Sequence, residues 1–359
     1  MNPGLEETGK RRPKIAFYTQ GFRTPSSRFR VEQLLPGLRD RGLDCSVYAA
    51  NPSNQGETRH WSTPPGPLRV VLRLAGVPRR LCQLPWALRH DVIVFQKPLL
   101  PFPSARLERS IARKRPCVFD LDDALYLKTN GRRWIRDIIE VCERIIVGNQ
   151  HLADQLGAPE RTVVVPTVVD TLRYQPRPPP QGRFTIGWSG SAHNLRELEP
   201  LVPVLESVLR HTKGRLLLVA ERFDASWLQR LHAETVQWSP RAEVEALGRM
   251  HVGIMPLADT EFNRGKCAFK LIQYMARGIP VVASPVGANR DVVRPGTDGF
   301  LASAPSEWAD ALHSVYSDPD AALSMGRQGR ERVESEYSVS AVIGRYVELF
   351  RSLSGRSDF

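Results

Sequence analysis

The sequence predicts an α/β chain of two doubly wound lobes joined by a short, stiff linker. Three observations carry this. The order strand, glycine loop, helix, strand opens the chain at residues 14–48 and returns at 184–220. Between the two copies lies a Pro-rich stretch, QPRPPPQG, whose composition favours an extended spacer. The length, 359 residues, suits two cores better than one.

In the first lobe, residues 14–18 (KIAFY) read as a buried strand and 19–27 as a loop holding Gly21. Apolar residues then recur at helical spacing over 28–41 (Phe29, Val31, Leu34, Leu35, Leu38), and 43–48 reads as a second strand. Ser27, Arg28 and Arg30 could serve an anionic ligand or simply form the polar face of that helix. Residues 50–67 are polar, rich in Pro and Gly, and read as a loop. Residues 68–90 interleave Arg69, Arg73, Arg79, Arg80 and Arg89 with Leu, Val and Trp, with breaks expected at Pro78 and Pro85. That is the composition of an interfacial amphipathic segment, or of a helical pair packed on its own sheet. A strand at 91–96, a helix near 104–114 and a strand at 116–119 follow. The last of these leads into Asp120, Asp122 and Asp123, where a parallel strand carries its ligands. One of these carboxylates could equally cap a helix. A helix at 131–141, a strand at 144–147, a helix opened by Gly148 and Asn149, and a strand at 162–166 complete the lobe.

In the second lobe, strands are expected at 184–188, 215–220 and 252–257, and helices at 194–211 and, led into by residues 236–239, at 241–248. Residues 265–289, GKCAFKLIQYMARGIPVVASPVGAN, organise the rest. Phe269, Ile272, Met275 and Ala276 share one helical face, and Lys270 and Gln273 the other. Gly278 ends the helix, Pro280 lies beyond it, and residues 281–283 form a fully buried strand. A helix N-terminus with Gly265 for close approach and Lys266 and Lys270 beside it suits a diphosphate, and Gln273 reaches a ribose hydroxyl one turn further in. After a turn at 297–300 come helices at 305–316, 319–335 and 338–353.

The stretch KLIQYMARGIPVVASPVGANRDVV resembles the donor-site signature of the GT-B glycosyltransferases of family 4 (glycosyl transferases group 1). The resemblance runs through nearly the whole chain from Lys14 and is most specific over 251–302. The family usually has Glu where this chain has Gln273, and often a second Glu where it has Gly265, so the paired-glutamate motif is absent in its strict form. The resemblance implies a GT-B fold, with two Rossmann-like domains facing a central cleft. It implies transfer of a sugar from a nucleotide-sugar donor to a hydroxyl acceptor, lipid-linked or saccharide, with retention, as in cell-surface polysaccharide or glycolipid synthesis. It also implies no metal and no other cofactor. Gly21 would then face the cleft. Gly187, Ser189, Gly190 and Ser191 (IGWSGS) would lie under the donor phosphates and sugar, with Gly287 and Asn289 in support. Arg222 would hold a phosphate. Lys270 would stabilise the leaving diphosphate, and Asp122 or Asp123 would orient a hydroxyl. The expected division is a disordered tail at 1–13, an acceptor domain at 14–174, the linker at 175–183, a donor domain at 184–337, and a helix at 338–359 that crosses back or packs locally. Two other functions stay open: a catalytically weak scaffold, motivated by the lost glutamates, and a nucleotide-sugar epimerase of the same fold.

Composition and charge add the partners. Apolar residues at 42% and charged residues at 25% fit a soluble globular protein, and no apolar run nears the roughly 20 residues that span a bilayer. The start lacks the apolar core of a signal peptide. Five cysteines without metal spacing read as reduced thiols, hence a cytoplasmic protein, peripheral on the membrane at most. Residues 1–180 hold 29 Lys and Arg against 17 Asp and Glu; residues 181–359 hold 21 against 21. The net +12 therefore lies in the first half, which points to an anionic partner for that lobe alone. No nucleic-acid signature is present, so an anionic membrane surface or a phosphate-bearing acceptor is the expected partner.

Overall fold

The computed structural model describes residues 11–22, 24–50, 76–100, 103–127, 131–176, 178 and 180–355. The loop expected at 50–67, Arg69 and Arg73, and most of the N-terminal tail lie outside the described residues. Within that tail Arg11 pairs with Asp91 at 3.1 Å.

The first lobe holds β1 (Lys14–Thr19), α1 (Pro25–Arg30), α2 (Leu35–Asp40), β2 (Asp44–Ala49), α3 (Gly76–Ala87), β3 (Val92–Gln96) and α4 (Arg106–Ala112). It continues with β4 (Cys117–Leu121), α5 (Gly131–Val141), β5 (Arg144–Val147), α6 (Gln150–Leu156) and β6 (Thr162–Val164). The second holds β7 (Thr185–Ser189), α7 (Val202–Thr212), β8 (Arg215–Ala220), α8 (Trp227–Arg230), β9 (Glu234–Gln237), α9 (Pro240–Leu247) and β10 (Val252–Met255). Then come α10 (Glu261–Arg264), α11 (Phe269–Ala276), β11 (Val281–Ala283), α12 (Asn289–Val292), β12 (Gly299–Leu301), α13 (Pro305–Ser317), α14 (Pro319–Glu336) and α15 (Val339–Ser354).

Each lobe has a six-stranded parallel sheet, ordered β2-β1-β3-β4-β5-β6 and β12-β11-β10-β7-β8-β9. The strand order reverses between β1 and β3 in one sheet and between β7 and β10 in the other. Crevices at such reversals, outside the carboxyl ends of the strands, are where open α/β sheets bind ligands. The central strands are buried on both faces, as their near-continuous Val, Ile and Leu content requires, while the edge strands β2, β6 and β9 are only partly covered. In the first lobe α3, α4 and α5 cover one face of the sheet, while α2 and α15 cover the other.

Several elements differ from the sequence expectation. The single helix over 28–41 is three pieces: α1, a 3₁₀ turn at Glu32–Leu34, and α2. Pro36 has no N–H to give Glu32, so a continuous ladder cannot form. The helix over 194–211 begins as a 3₁₀ stretch, Ala192–Leu201, with Pro200 inside it, and becomes α-helical only at Val202. In contrast α3 runs through both Pro78 and Pro85. Pro78 sits in the first turn, where its missing N–H has no intrahelical acceptor. Asp120 is not past its strand but inside β4.

The chain passes between lobes twice. After the linker pass, α15 returns to lie on the first sheet. Its stripe Val342, Ile343, Tyr346, Val347, Phe350 and Leu353 is buried with Ile15, Phe17, Leu34 and Leu38. Phe350 meets Phe17 edge-on at 5.8 Å, a pair that adds about 0.5–1.5 kcal/mol beyond its buried area. Where α14 gives way to α15, Val169 donates to the Tyr337 carbonyl at 2.9 Å and accepts from the Val339 N–H at 3.2 Å. No helix among the described residues is long and apolar enough to cross a membrane.

Candidate functional site

The carboxyl end of β7 carries Gly190, and α11 begins across the crevice from it. Ala268, at the N-cap of α11, has φ 51°, and no side chain caps the helix, so its first turn presents backbone N–H groups. Lys270 crosses Gly190. A Cβ there would lie 2.5 Å from Lys270 Cε and 2.7 Å from its Nζ, so only glycine leaves the path open. The Lys270 Nζ sits 4.4 Å from the centroid of the Trp188 ring. Burial, with Lys266 adding to it, brings the Lys270 ammonium down to about pKa 7. Lys266 donates to Asn194 Oδ1 at 3.4 Å and lies 3.9 Å from Glu197. Burial lowers its pKa too, against the pull of Glu197 and Asp123.

Gln273 turns inward. It is 3% exposed, and its Nε2 donates to the Tyr174 hydroxyl at 2.8 Å. Tyr174 donates in turn to Glu243 Oε2 at 2.9 Å. Glu243 Oε1 accepts from Trp238 Nε1 at 3.0 Å and from the Ser189 hydroxyl at 3.4 Å. One buried carboxylate therefore ties together the β7 end, the corner after β9, the approach to the linker and, through Tyr174, α11. The chemistry explains the amide at 273. Glu243 takes the hydroxyl proton, so the remaining partner must donate, which an ionised Glu cannot do.

The other lobe closes over this face. Arg28 reaches Glu243 at 3.9 Å, between the rings of Phe29 at 4.6 Å and Trp238 at 5.0 Å. Phe29 packs on Phe269 with centroids 3.8 Å apart. Asn149 accepts from Leu152 N as the cap of α6 and donates from Nδ2 to the Lys266 carbonyl at 3.0 Å. Cys267 Sγ donates to the Asp122 carbonyl at 3.3 Å. A Cβ at Gly265 would stand 2.8 Å from Ala124 Cβ, so the position of the family's first glutamate has no room for one here.

At the first lobe's own reversal point lies Lys97, in the left-handed region at φ 75°. Its Nζ donates to Ser26 Oγ at 2.7 Å and lies 3.5 Å from Asp122. Burial alone would raise the Asp122 carboxyl, but Lys97 and the Ser26 hydroxyl outweigh it and hold it below the usual range. Asp120 is committed elsewhere, to Arg30 at 2.9 Å, while Arg30 also donates to the Val165 carbonyl at 2.7 Å. Ser27, also buried, bonds Gln96. Arg30 and Ser27 thus hold the lobe's interior and are turned away from any ligand.

The remaining sequence candidates are scattered. Ser189 and Ser191 flank Gly190; Asn194 Nδ2 donates to Ser191 Oγ at 2.9 Å. Gly21 follows β1 and accepts from Thr24 N and Oγ1. Gly287, at φ 52°, lies where a Cβ would strike the Arg264 carbonyl at 2.4 Å, and with His151, Arg264 and Arg290 it lines an interlobe cavity of about 280 Å³. Gly187 is inside β7 against Met250, Asn289 is 1% exposed and donates to the Ser284 carbonyl, and Arg222 is a surface residue paired with Asp224 at 3.0 Å. Sequence reasoning missed Lys97, Glu197 and Glu243. Lys97 had a usable signal, since it follows the strand at 91–96 just as the aspartates follow theirs. Among the described residues no group of three or more His, Cys, Asp or Glu is placed to hold a metal ion.

Residues 183–318 match the family model described as glycosyl transferases group 1. D-inositol 3-phosphate glycosyltransferase of Nocardia farcinica is 28% identical over 220 residues, 53% of this chain and 49% of that protein. Alpha-maltose-1-phosphate synthase of Mycolicibacterium smegmatis is 33% identical over 91 residues, 23% of this chain and 24% of that protein. The chain thus spans about half the length, or less, of these curated relatives. The crystal structure of HepE of Anabaena in complex with UDP and glucose superposes with a TM-score of 0.70 at 16% identity, covering 95% of this chain and all of that one. Sucrose-phosphate synthase of Thermosynechococcus elongatus gives 0.70 at 17%, covering 96% and 100%. The fold is therefore GT-B, two Rossmann-like lobes, and its second lobe carries the match to glycosyl transferases group 1.

Proposed function

We propose that this chain is a glycosyltransferase that moves a sugar from a nucleoside diphosphate sugar to a hydroxyl acceptor, with retention, in the building of a cell-surface polysaccharide or glycolipid. The observation that carries the reading is the uncapped start of α11, with Lys270 laid across Gly190 at the crevice between β7 and β10. Backbone N–H groups and two lysines meet there, the kind of donor set that holds a diphosphate. In this reading the diphosphate draws Lys270 into its charged form, and the ammonium then stabilises the charge that develops on the leaving group. The ionised Asp122, set by Lys97, faces from the other lobe as the group that orients a hydroxyl. Closure of the lobes excludes water from the donor. The UDP named for the Anabaena structure supports testing uridine nucleotides first.

Thermal-shift titration with UDP, GDP, ADP and their sugar conjugates tests this. A nucleotide diphosphate is expected to raise the melting temperature in the wild type and to lose that effect in Lys270→Ala. No shift with any nucleotide, together with no donor turnover on any hydroxyl acceptor, would favour the scaffold reading. That reading has one structural support, the packing of Gly265 against Ala124.

A further inference from the structure

We propose that the outer helical layer of the first lobe docks on an anionic lipid bilayer, seated through the exposed side of α3. Pro78, Arg79, Leu81, Cys82, Pro85 and Trp86 are all exposed, and at about 100° per residue they share one continuous side of the helix, with the exposed Arg89 in the turn just past its end. Leu81 is 51% and Trp86 58% exposed, unusual for large apolar side chains. Among the described residues, neither side chain belongs to a core cluster of the lobe. The opposite side, Arg80 and Ala87, is buried on the lobe, where Arg80 donates to the Tyr48 carbonyl.

The surroundings of this apolar side are cationic. The Arg89 guanidinium lies 4.6 Å from the Trp86 ring centroid. Arg115 donates to the Leu88 carbonyl at 2.9 Å, which brings the exposed Arg113 and Lys114 beside the end of α3. On α4, Arg106 and Arg109 are exposed, while α5 exposes Arg133 and Arg136 together with Glu140 and pairs Arg132 with Glu261 of the second lobe at 3.4 Å. Neither α3 nor α4 exposes an acidic side chain: Glu108 is fully buried, accepting from Leu99 N. Leu and Trp projecting from a ring of arginines match the two halves of a bilayer surface, acyl boundary and phosphate headgroups. A nucleic acid would use the cations but leave Leu81 and both prolines without a counterpart. In the cleft, by contrast, the basic groups are met by Asp120, Asp122 and Glu243.

The test is flotation of the full chain with vesicles of phosphatidylcholine alone or mixed in equal parts with phosphatidylglycerol. Expected are binding to the mixed vesicles only, weakening from 0.1 M to 1 M salt as the screening length falls from about 10 Å to about 3 Å. Two variants separate the components: Leu81→Ser with Trp86→Ser, which keeps every charge, and Arg79→Gln with Arg89→Gln, Arg113→Gln and Lys114→Gln, which keeps the apolar pair. Each is expected to lower partition at least tenfold with an unchanged circular dichroism spectrum and melting temperature. Binding that ignores lipid charge, unaltered binding of the folded variants, or retention on duplex DNA with none on vesicles would overturn the proposal.

Discussion

The two lobes share an architecture and differ in how they spend their polar side chains. The first uses charge inside: Arg30 with Asp120 and Arg80 on backbone carbonyls are buried against its sheet, and Lys97 with Asp122 is partly buried at the strand ends. The second keeps its most distinctive cation, Lys270, without an anion at contact distance among its described ion pairs, over a ring and a glycine. The difference supports the proposal that the second lobe is the one to take a charged ligand. A paired cation is a finished structural element, whereas a buried and depressed one is the expected signature of a site completed by what binds there.

That contrast can be broken at Lys270 first. Lys270→Ala is expected to cut donor turnover by about 10²–10³-fold, the size seen when one preorganised transition-state partner is lost. Steady-state assay with a nucleotide sugar measures it, and Arg222→Ala on the surface is the control with little expected effect. Next is the buried tie around Glu243. Gln273→Glu restores the family's usual residue but sets a second carboxylate against the Tyr174 hydroxyl, at a cost of about 1–3 kcal/mol or more for the charged, unsatisfied group. Gln273→Glu with Glu243→Gln moves the charge without doubling it and is expected to recover most of the loss. A melting series of the two single variants and the double one decides; additive losses would show that the two positions act separately.

The contrast can be sharpened by pH. Lys270 titrates near 7 in the fold and near 10.5 unfolded, so the unfolded chain binds more protons between those values, and stability of the free protein rises with pH across that window. Donor affinity should run the other way, weakening above pH 7 as the ammonium is lost. Calorimetric titration with nucleotide at pH 6.5 and 8.5 is expected to show the fall in wild type and not in Lys270→Arg, whose guanidinium stays charged. The smallest effect is a comparison of two glycines. Gly344→Ala, in α15 with nothing within 4 Å, is expected to stabilise by about 0.4–1 kcal/mol, whereas Gly190→Ala must push Lys270 aside. Melting curves with and without nucleotide separate them.

Local pattern carried the fold a long way. Runs such as Val281–Ala283 and Arg215–Ala220, and the glycines and prolines that bound them, mark strands because a parallel sheet buries both faces. The pattern failed where a proline changed the ladder, at Pro36 and Pro200, since helical periodicity says nothing about a missing N–H. In the site, the lysines flanking α11 and the aspartates after β4 were legible because position at a strand or helix end is local information. The direction of Gln273 was not. Its partner Tyr174 is 99 positions away and Glu243 a further link on, and Lys97 earns its role only from Ser26, 71 positions before it. Such pairs exist only once the chain has folded.

The double passage at Val169 has a mechanical meaning. Two segments, fastened to each other by a pair of main-chain bonds and each continuing into a different lobe, behave as a flexure. Rotation about that line disturbs few dihedral angles, while sliding one sheet past the other would tear both bonds. Opening by tilt would carry Arg28 and Asn149 along fixed arcs relative to Cys267, so that closure would return each to the same seat.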